Sequence, residues 1–128
     1  MKTILVDAVN AFIIEAEGNF KIFEEMRDLF ETFPNRKIIL TGAAKDESFK
    51  KYGLDKMPYE VFTLEHNPEK TDPKYYEIML RHFGLDKKDV VYFEHNENAV
   101  KSAESVGIKT YFYDKDKKDL AGLKKFLD

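Results

Sequence analysis

The chain has 128 residues, 43% hydrophobic and 35% charged, with 21 basic side chains against 24 acids for a formal charge of −3; this is the size of one ordinary domain with one core, spanning 1–128. Acids and bases are interspersed, Lys115, Lys117 and Lys118 being interleaved with Asp114, Asp116 and Asp119, so no nucleic-acid surface is expected. Cysteine is absent, which excludes disulfides and thiolate chemistry, and no apolar run approaches membrane-spanning length, so a cytoplasmic protein without a membrane partner is expected.

In chain order, the apolar run Thr3-Ile4-Leu5-Val6 within Lys2 to Val6 predicts a buried strand that ends abruptly in Asp7. At that position Asp7 is open to three readings: a nucleophile, a metal ligand or a turn residue. Glu17-Gly18-Asn19-Phe20 carries a hairpin signal. Ile22, Phe23, Met26, Leu29, Phe30 and Phe33 recur at helical spacing until Pro34-Asn35 stops them. Lys37 to Leu40 predicts a second strand ending in Thr41-Gly42, and Asp46 to Tyr52 a weaker helix closed by Gly53. Tyr59 to Leu64 predicts a third strand, followed by the polar loop Glu65 to Glu69.

The next helix is the best marked, with Asp72 as N-cap, Pro73 at its first position, Tyr76, Met79, Leu80 and Phe83 on its apolar face, and Gly84 at its end. Val90 to Phe93 is a fourth strand, broken by Glu94-His95-Asn96. Glu97 to Val106 is then a helix with Gly107 as its stop, Lys109 to Tyr113 a fifth strand, and Leu120, Leu123, Phe126 and Leu127 mark a closing helix. Five strands alternating with helices predict an α/β parallel sheet with helices on both faces.

Taken together, the strand ends supply Asp7, Thr41-Gly42 and Glu94-His95, and Lys70 precedes the third helix. A carboxylate, a hydroxyl, an ammonium and a second acid on one sheet edge suit phosphoryl transfer: the carboxylate can attack phosphorus, and the hydroxyl and lysine can hold phosphate oxygens. Backbone N–H groups following Gly42, at a helix start, would add to the anion site. His66 and His82 have no partner at metal-ligand spacing. A receiver domain shares the alternation but needs an aspartate after strand three, where Leu64-Glu65-His66-Asn67 offers none.

Asp7 after an apolar strand, Thr41-Gly42, Lys70-Thr71-Asp72-Pro73 opening a helix that ends Phe83-Gly84-Leu85, and Phe93-Glu94-His95-Asn96 before Val100, Ala103 and Gly107 resemble the four ordered motifs of the haloacid dehalogenase (HAD) superfamily. The resemblance covers nearly the whole chain. It implies a three-layer Rossmann-like fold with a five-stranded parallel sheet in the order 5-4-1-2-3 and a short hairpin after strand one. It also implies hydrolysis of phosphate monoesters through an aspartyl phosphate on Asp7, with Lys70 in the catalytic set. Thr41, Gly42 and Lys70 would bind phosphate, and Mg²⁺ would be held by Asp7, the Val9 carbonyl and Glu94 or its neighbour.

Three positions depart from the family pattern. Val9 stands where family phosphatases carry the general acid, Glu94-His95 where they carry Asp in the fourth motif, and Ala11 where a threonine is common. These imply a weakened enzyme or, alternatively, an inactive relative that binds or regulates. The short intervals from Asp7 to the first helix and from Thr41 to Lys70 leave no room for a cap domain, which implies an open site for a large phosphorylated substrate or closure by an oligomer or partner protein.

Overall fold

Thr3–Asp7 (β1) is buried along its whole length, as a strand covered on both faces must be. The computed structural model, which describes Met1–Asp128, continues with a hairpin of Ile13–Ala16 (β2) and Asn19–Ile22 (β3), helix Glu24–Glu31 (α1) and strand Lys37–Thr41 (β4). The short helix Glu47–Lys51 (α2), strand Glu60–Thr63 (β5), helix Pro73–Phe83 (α3) and strand Val90–Glu94 (β6) follow. Helix Glu97–Ser105 (α4), strand Lys109–Phe112 (β7) and helix Leu120–Leu127 (α5) complete the chain.

The five sheet strands are all parallel. They lie in the order β5-β4-β1-β6-β7, and the hairpin forms a separate two-stranded sheet. In chain numbering this differs from the expected 5-4-1-2-3, because the hairpin takes the numbers two and three. Numbered among themselves, the parallel strands lie 5-4-1-2-3 read from the β7 edge.

β1 divides the core in two by the period-two alternation of a strand. Ile4 and Val6 join the cluster of Met26 and Phe30 from α1 and Leu123 from α5, whereas Leu5 joins Tyr75, Tyr76 and Met79 from α3 and Ala103 from α4. Aromatic packing fills the first side, with Phe12 stacked on Phe30 at 5.8 Å and Phe30 tilted against Phe93 at 5.6 Å.

Two expectations are corrected here. The apolar stripe from Ile22 to Phe33 runs beyond its helix, α1, at both ends. Ile22 pairs with Ile13 in the hairpin and the Phe23 N–H donates to the Phe12 carbonyl at 2.8 Å, so their backbone groups are committed before the helix starts. Gly42 does not lead into a helix start, because α2 begins at Glu47, where Asp46 caps it by accepting from the Ser48 N–H at 2.8 Å. Elsewhere the end signals behave as their chemistry dictates. Asp72 accepts from the Lys74 N–H at 2.9 Å, Pro73 opens α3, and Gly84 closes it at φ +64, a conformation that costs glycine nothing. No helix is long and apolar enough to cross a membrane.

Candidate active site

β4, β1 and β6 are adjacent and parallel, with Asp7 opposite Leu40 and Val6 opposite Phe93. Their last residues, Thr41, Asp7 and Glu94, therefore emerge on one edge of the sheet, where open α/β folds place ligands. All three are buried. They line a crevice of about 210 Å³ together with Val9, Gly42, Lys70 and His95. Every residue expected from the sequence to hold phosphate or metal thus lies on one cavity.

Lys70 reaches this edge from the loop before α3. Its Nζ donates to Asp7 Oδ1 at 2.9 Å and to the Leu40 carbonyl at 3.2 Å, and lies 2.6 Å from Glu94 Oε1. The Lys70 main chain is itself held, because the Tyr76 hydroxyl donates to its carbonyl at 2.8 Å. Thr41 is held likewise, its carbonyl accepting from the Tyr75 hydroxyl at 2.8 Å. Its hydroxyl oxygen accepts from the Ala43 N–H at 3.2 Å, so the hydroxyl proton is the donor left for the crevice. Holding its own turn through Ala43 and offering a donor to the crevice are compatible in one side chain.

His95 supplies the contacts that the sequence pattern did not place. Its main-chain N–H donates to Asp7 Oδ2 at 3.0 Å, and its ring Nδ1 lies 2.5 Å from the same oxygen and 3.2 Å from Glu94 Oε2. Glu94 is bound further by the Tyr92 hydroxyl, which donates to Oε1, and by the Asn96 N–H, which donates to Oε2 at 3.0 Å. Tyr92 was legible only as a strand residue, yet residues two apart on a strand share a face. That spacing to Glu94 is the signal that could have found it. His66 and His82 take no part: His66 sits at the exposed surface 3.0 Å from Glu69, and the His82 ring packs 5.2 Å from that of Phe62.

The electrostatics follow from burial and neighbours. Burial, then the Glu94 charge, raises the Asp7 carboxyl above its ordinary value, against the pull of Lys70 and His95. Burial would raise Glu94 as well, but Lys70 and the hydrogen bonds around it hold that carboxyl well below the usual range. Burial disfavours the His95 imidazolium, yet its bonds to Asp7 and Glu94 outweigh this and push it up to about 9. Lys70 rises for the same reason, the two carboxylates overcoming its desolvation. At Asp7 two effects oppose each other. Three N–H donors aimed at its oxygens match only the ionised, acceptor-only form, and we take the carboxylate as the state near neutral pH.

Ligand atoms of Asp7, Glu94 and His95 lie within 4.8 Å of one another, close enough to consider a metal. Mg²⁺ demands near-octahedral oxygen ligands at about 2.0–2.1 Å. All four carboxylate oxygens here already accept from protein donors, and the third ligand is an imidazole nitrogen lying between the two acids. This arrangement does not fit Mg²⁺.

No protein-family model and no curated protein matches the chain. Solved structures do. A HAD family enzyme from Bacteroides thetaiotaomicron, in complex with magnesium and inorganic phosphate, superposes with a TM-score of 0.66 at 12% identity, over 88% of this chain and 93% of that one. An uncharacterised protein from Corynebacterium glutamicum gives 0.68 at 15% identity, over 96% and 92%. A HAD-superfamily hydrolase of subfamily IA from Geobacter sulfurreducens gives 0.57 at 21% identity, over 73% of this chain and 47% of that one.

Proposed function

We propose that this chain, which has the fold of the haloacid dehalogenase superfamily, is a hydrolase of phosphate monoesters that works slowly through Asp7. The observation that carries this reading is the convergence of Asp7, Thr41, Lys70 and Glu94 on one crevice at the strand ends, the set of groups that in-line attack by a carboxylate on phosphorus requires. Only the hairpin of β2 and β3 stands between β1 and α1. We read the site as uncapped and open to a large phosphorylated substrate, with closure by a second subunit or partner protein as the alternative to an open mouth.

In the proposed reaction the Thr41 hydroxyl donates to a phosphate oxygen, and Lys70 turns one of its N–H groups from its present acceptors to another. A lone pair of the Asp7 carboxylate forms a bond to phosphorus as the ester P–O bond breaks. The electron pair leaves with the substrate oxygen, which takes its proton from water because Val9 offers none. Water then attacks the phosphorus of the aspartyl phosphate, releasing inorganic phosphate and restoring the carboxylate. Lys70 and His95 keep Asp7 oriented and offset its charge as the anionic substrate approaches. Lacking a side-chain acid, the site should favour aryl and acyl phosphates, whose leaving groups need no proton, over alkyl phosphates.

One observation favours a second reading, a HAD-fold protein that binds or regulates without turnover: the half-buried Val9 puts an isopropyl group on the crevice where the resemblance calls for an acid. One pair of variants separates the two. If the first reading holds, hydrolysis of an aryl phosphate is lost in Asp7→Asn and rises in folded Val9→Asp within the ~10²–10⁴-fold range of general acid–base catalysis. A folded Val9→Asp protein with no gain, from a parent with no turnover, selects the second reading.

A further inference from the structure

We infer that the His95 side chain stands in for the divalent ion of this fold's phosphoryl-transfer site, joining Asp7 and Glu94 through a ring nitrogen carried on the chain, so that the folded protein takes up no Mg²⁺ there. The first support is position. His95 Nδ1 lies 2.5 Å from Asp7 Oδ2 and 3.2 Å from Glu94 Oε2, between one oxygen of each carboxylate. An ion bound to both oxygens at about 2.0–2.1 Å would have to share them with that nitrogen.

The second support is anchoring. The His95 main-chain N–H donates to the same Asp7 oxygen at 3.0 Å, so backbone and ring of one residue grip Oδ2 together, and the ring cannot drift from the gap without leaving that oxygen. The third is occupancy. Two buried carboxylates repel unless offset; Lys70 contacts one oxygen of each, at 2.9 and 2.6 Å, and supplies one positive charge. Tyr92 and Asn96 donate to the two oxygens of Glu94, so each of the four carboxylate oxygens already has a protein partner. A divalent ion entering this group would have to displace these donors or accept a nitrogen-containing donor set that Mg²⁺ disfavours.

The test reads binding and leaves hydrolysis aside, so its failure is distinguishable from failure of the proposed function. MgCl₂ is titrated at constant ionic strength into the wild-type protein, His95→Asp and His95→Asn, following thermal unfolding and the heat of binding. Wild type should show no saturable rise in Tm, and His95→Asp, which puts a carboxylate where the ring stood, should bind Mg²⁺ at least roughly tenfold more tightly and be stabilised by it. If His95→Asp does not fold, His95→Asn carries the same comparison, since it removes the ring and keeps the main-chain N–H. Long-range ¹H–¹⁵N spectra of the wild-type ring should be unmoved by Mg²⁺. Saturable Mg²⁺ binding by wild type with displacement of the ring resonances overturns the inference, as does a folded variant that gains no Mg²⁺ response. Stabilisation of wild type by Mn²⁺ or Zn²⁺ that His95→Asn abolishes would make the imidazole a ligand instead of a substitute, and equally overturns it.

Discussion

Asp7 draws its partners from 63 and 88 residues away in sequence, and of these two, Lys70 and His95, the histidine is the one whose charge changes nearer to neutral pH. Its imidazole has an ordinary value of 6.5 and is pushed up to about 9 in the folded protein. A base held above its unfolded value stabilises the fold fully below about pH 6.5, and that contribution is lost as pH rises through about 9. Because the ring is partly exposed and screened, the loss is on the order of 1–2 kcal/mol. Urea unfolding across this range should show declining stability in wild type and a flatter profile in His95→Gln. At this scale the sequence supplied residue types more readily than contacts. Asp7, Thr41, Lys70 and Glu94 could be picked out because each follows a strand or precedes a helix at a recognisable place. The grip of His95 on Asp7 could not, since it depends on how the turn after β6 folds back over β1, which no local pattern encodes.

The segment that carries Lys70 runs straight into α3, so the cap of that helix and the placement of the lysine are linked. Asp72 accepts from the Lys74 N–H, Pro73 follows it, and two residues upstream Lys70 is pinned by its ion pairs and by Tyr76 from the second turn of the same helix. Replacing Asp72 by Ala removes the cap and should cost about 1 kcal/mol of stability. Fraying of the first turn should also loosen the Lys70 loop, seen as faster amide exchange from Lys70 to Lys74 than a uniform loss of stability would give. The limits of α3 were readable because its N-cap, proline and closing glycine all act locally. Those of α1 were not. Its apolar stripe continues through Ile22 and Phe33 because both pack against the core, and periodicity records burial rather than the hydrogen bonds that set where a helix starts.

Across the whole molecule, the parallel α/β plan was legible because buried strands read as short β-branched runs and helices as 3.6-residue stripes. The division of the core by β1 could not be assigned to particular helices until the strand order was known. That order has a consequence for how the protein is made. β1 leaves the ribosome before the other strands of its sheet and sits in the middle of it, yet one of its neighbours, β6, ends only at Glu94. While the chain grows, the edge of β1 that will meet β6 stays unpaired, and Asp7 waits for both His95 and Glu94. A nascent chain in that condition presents an apolar strand edge able to join another copy, the usual hazard of non-local parallel pairing during synthesis. A fragment spanning Met1 to Asp89 should therefore aggregate or bind a chaperone when expressed alone, as measured by light scattering against the full chain, and a soluble monomeric fragment would show that the hairpin and α1 already protect the nascent strand.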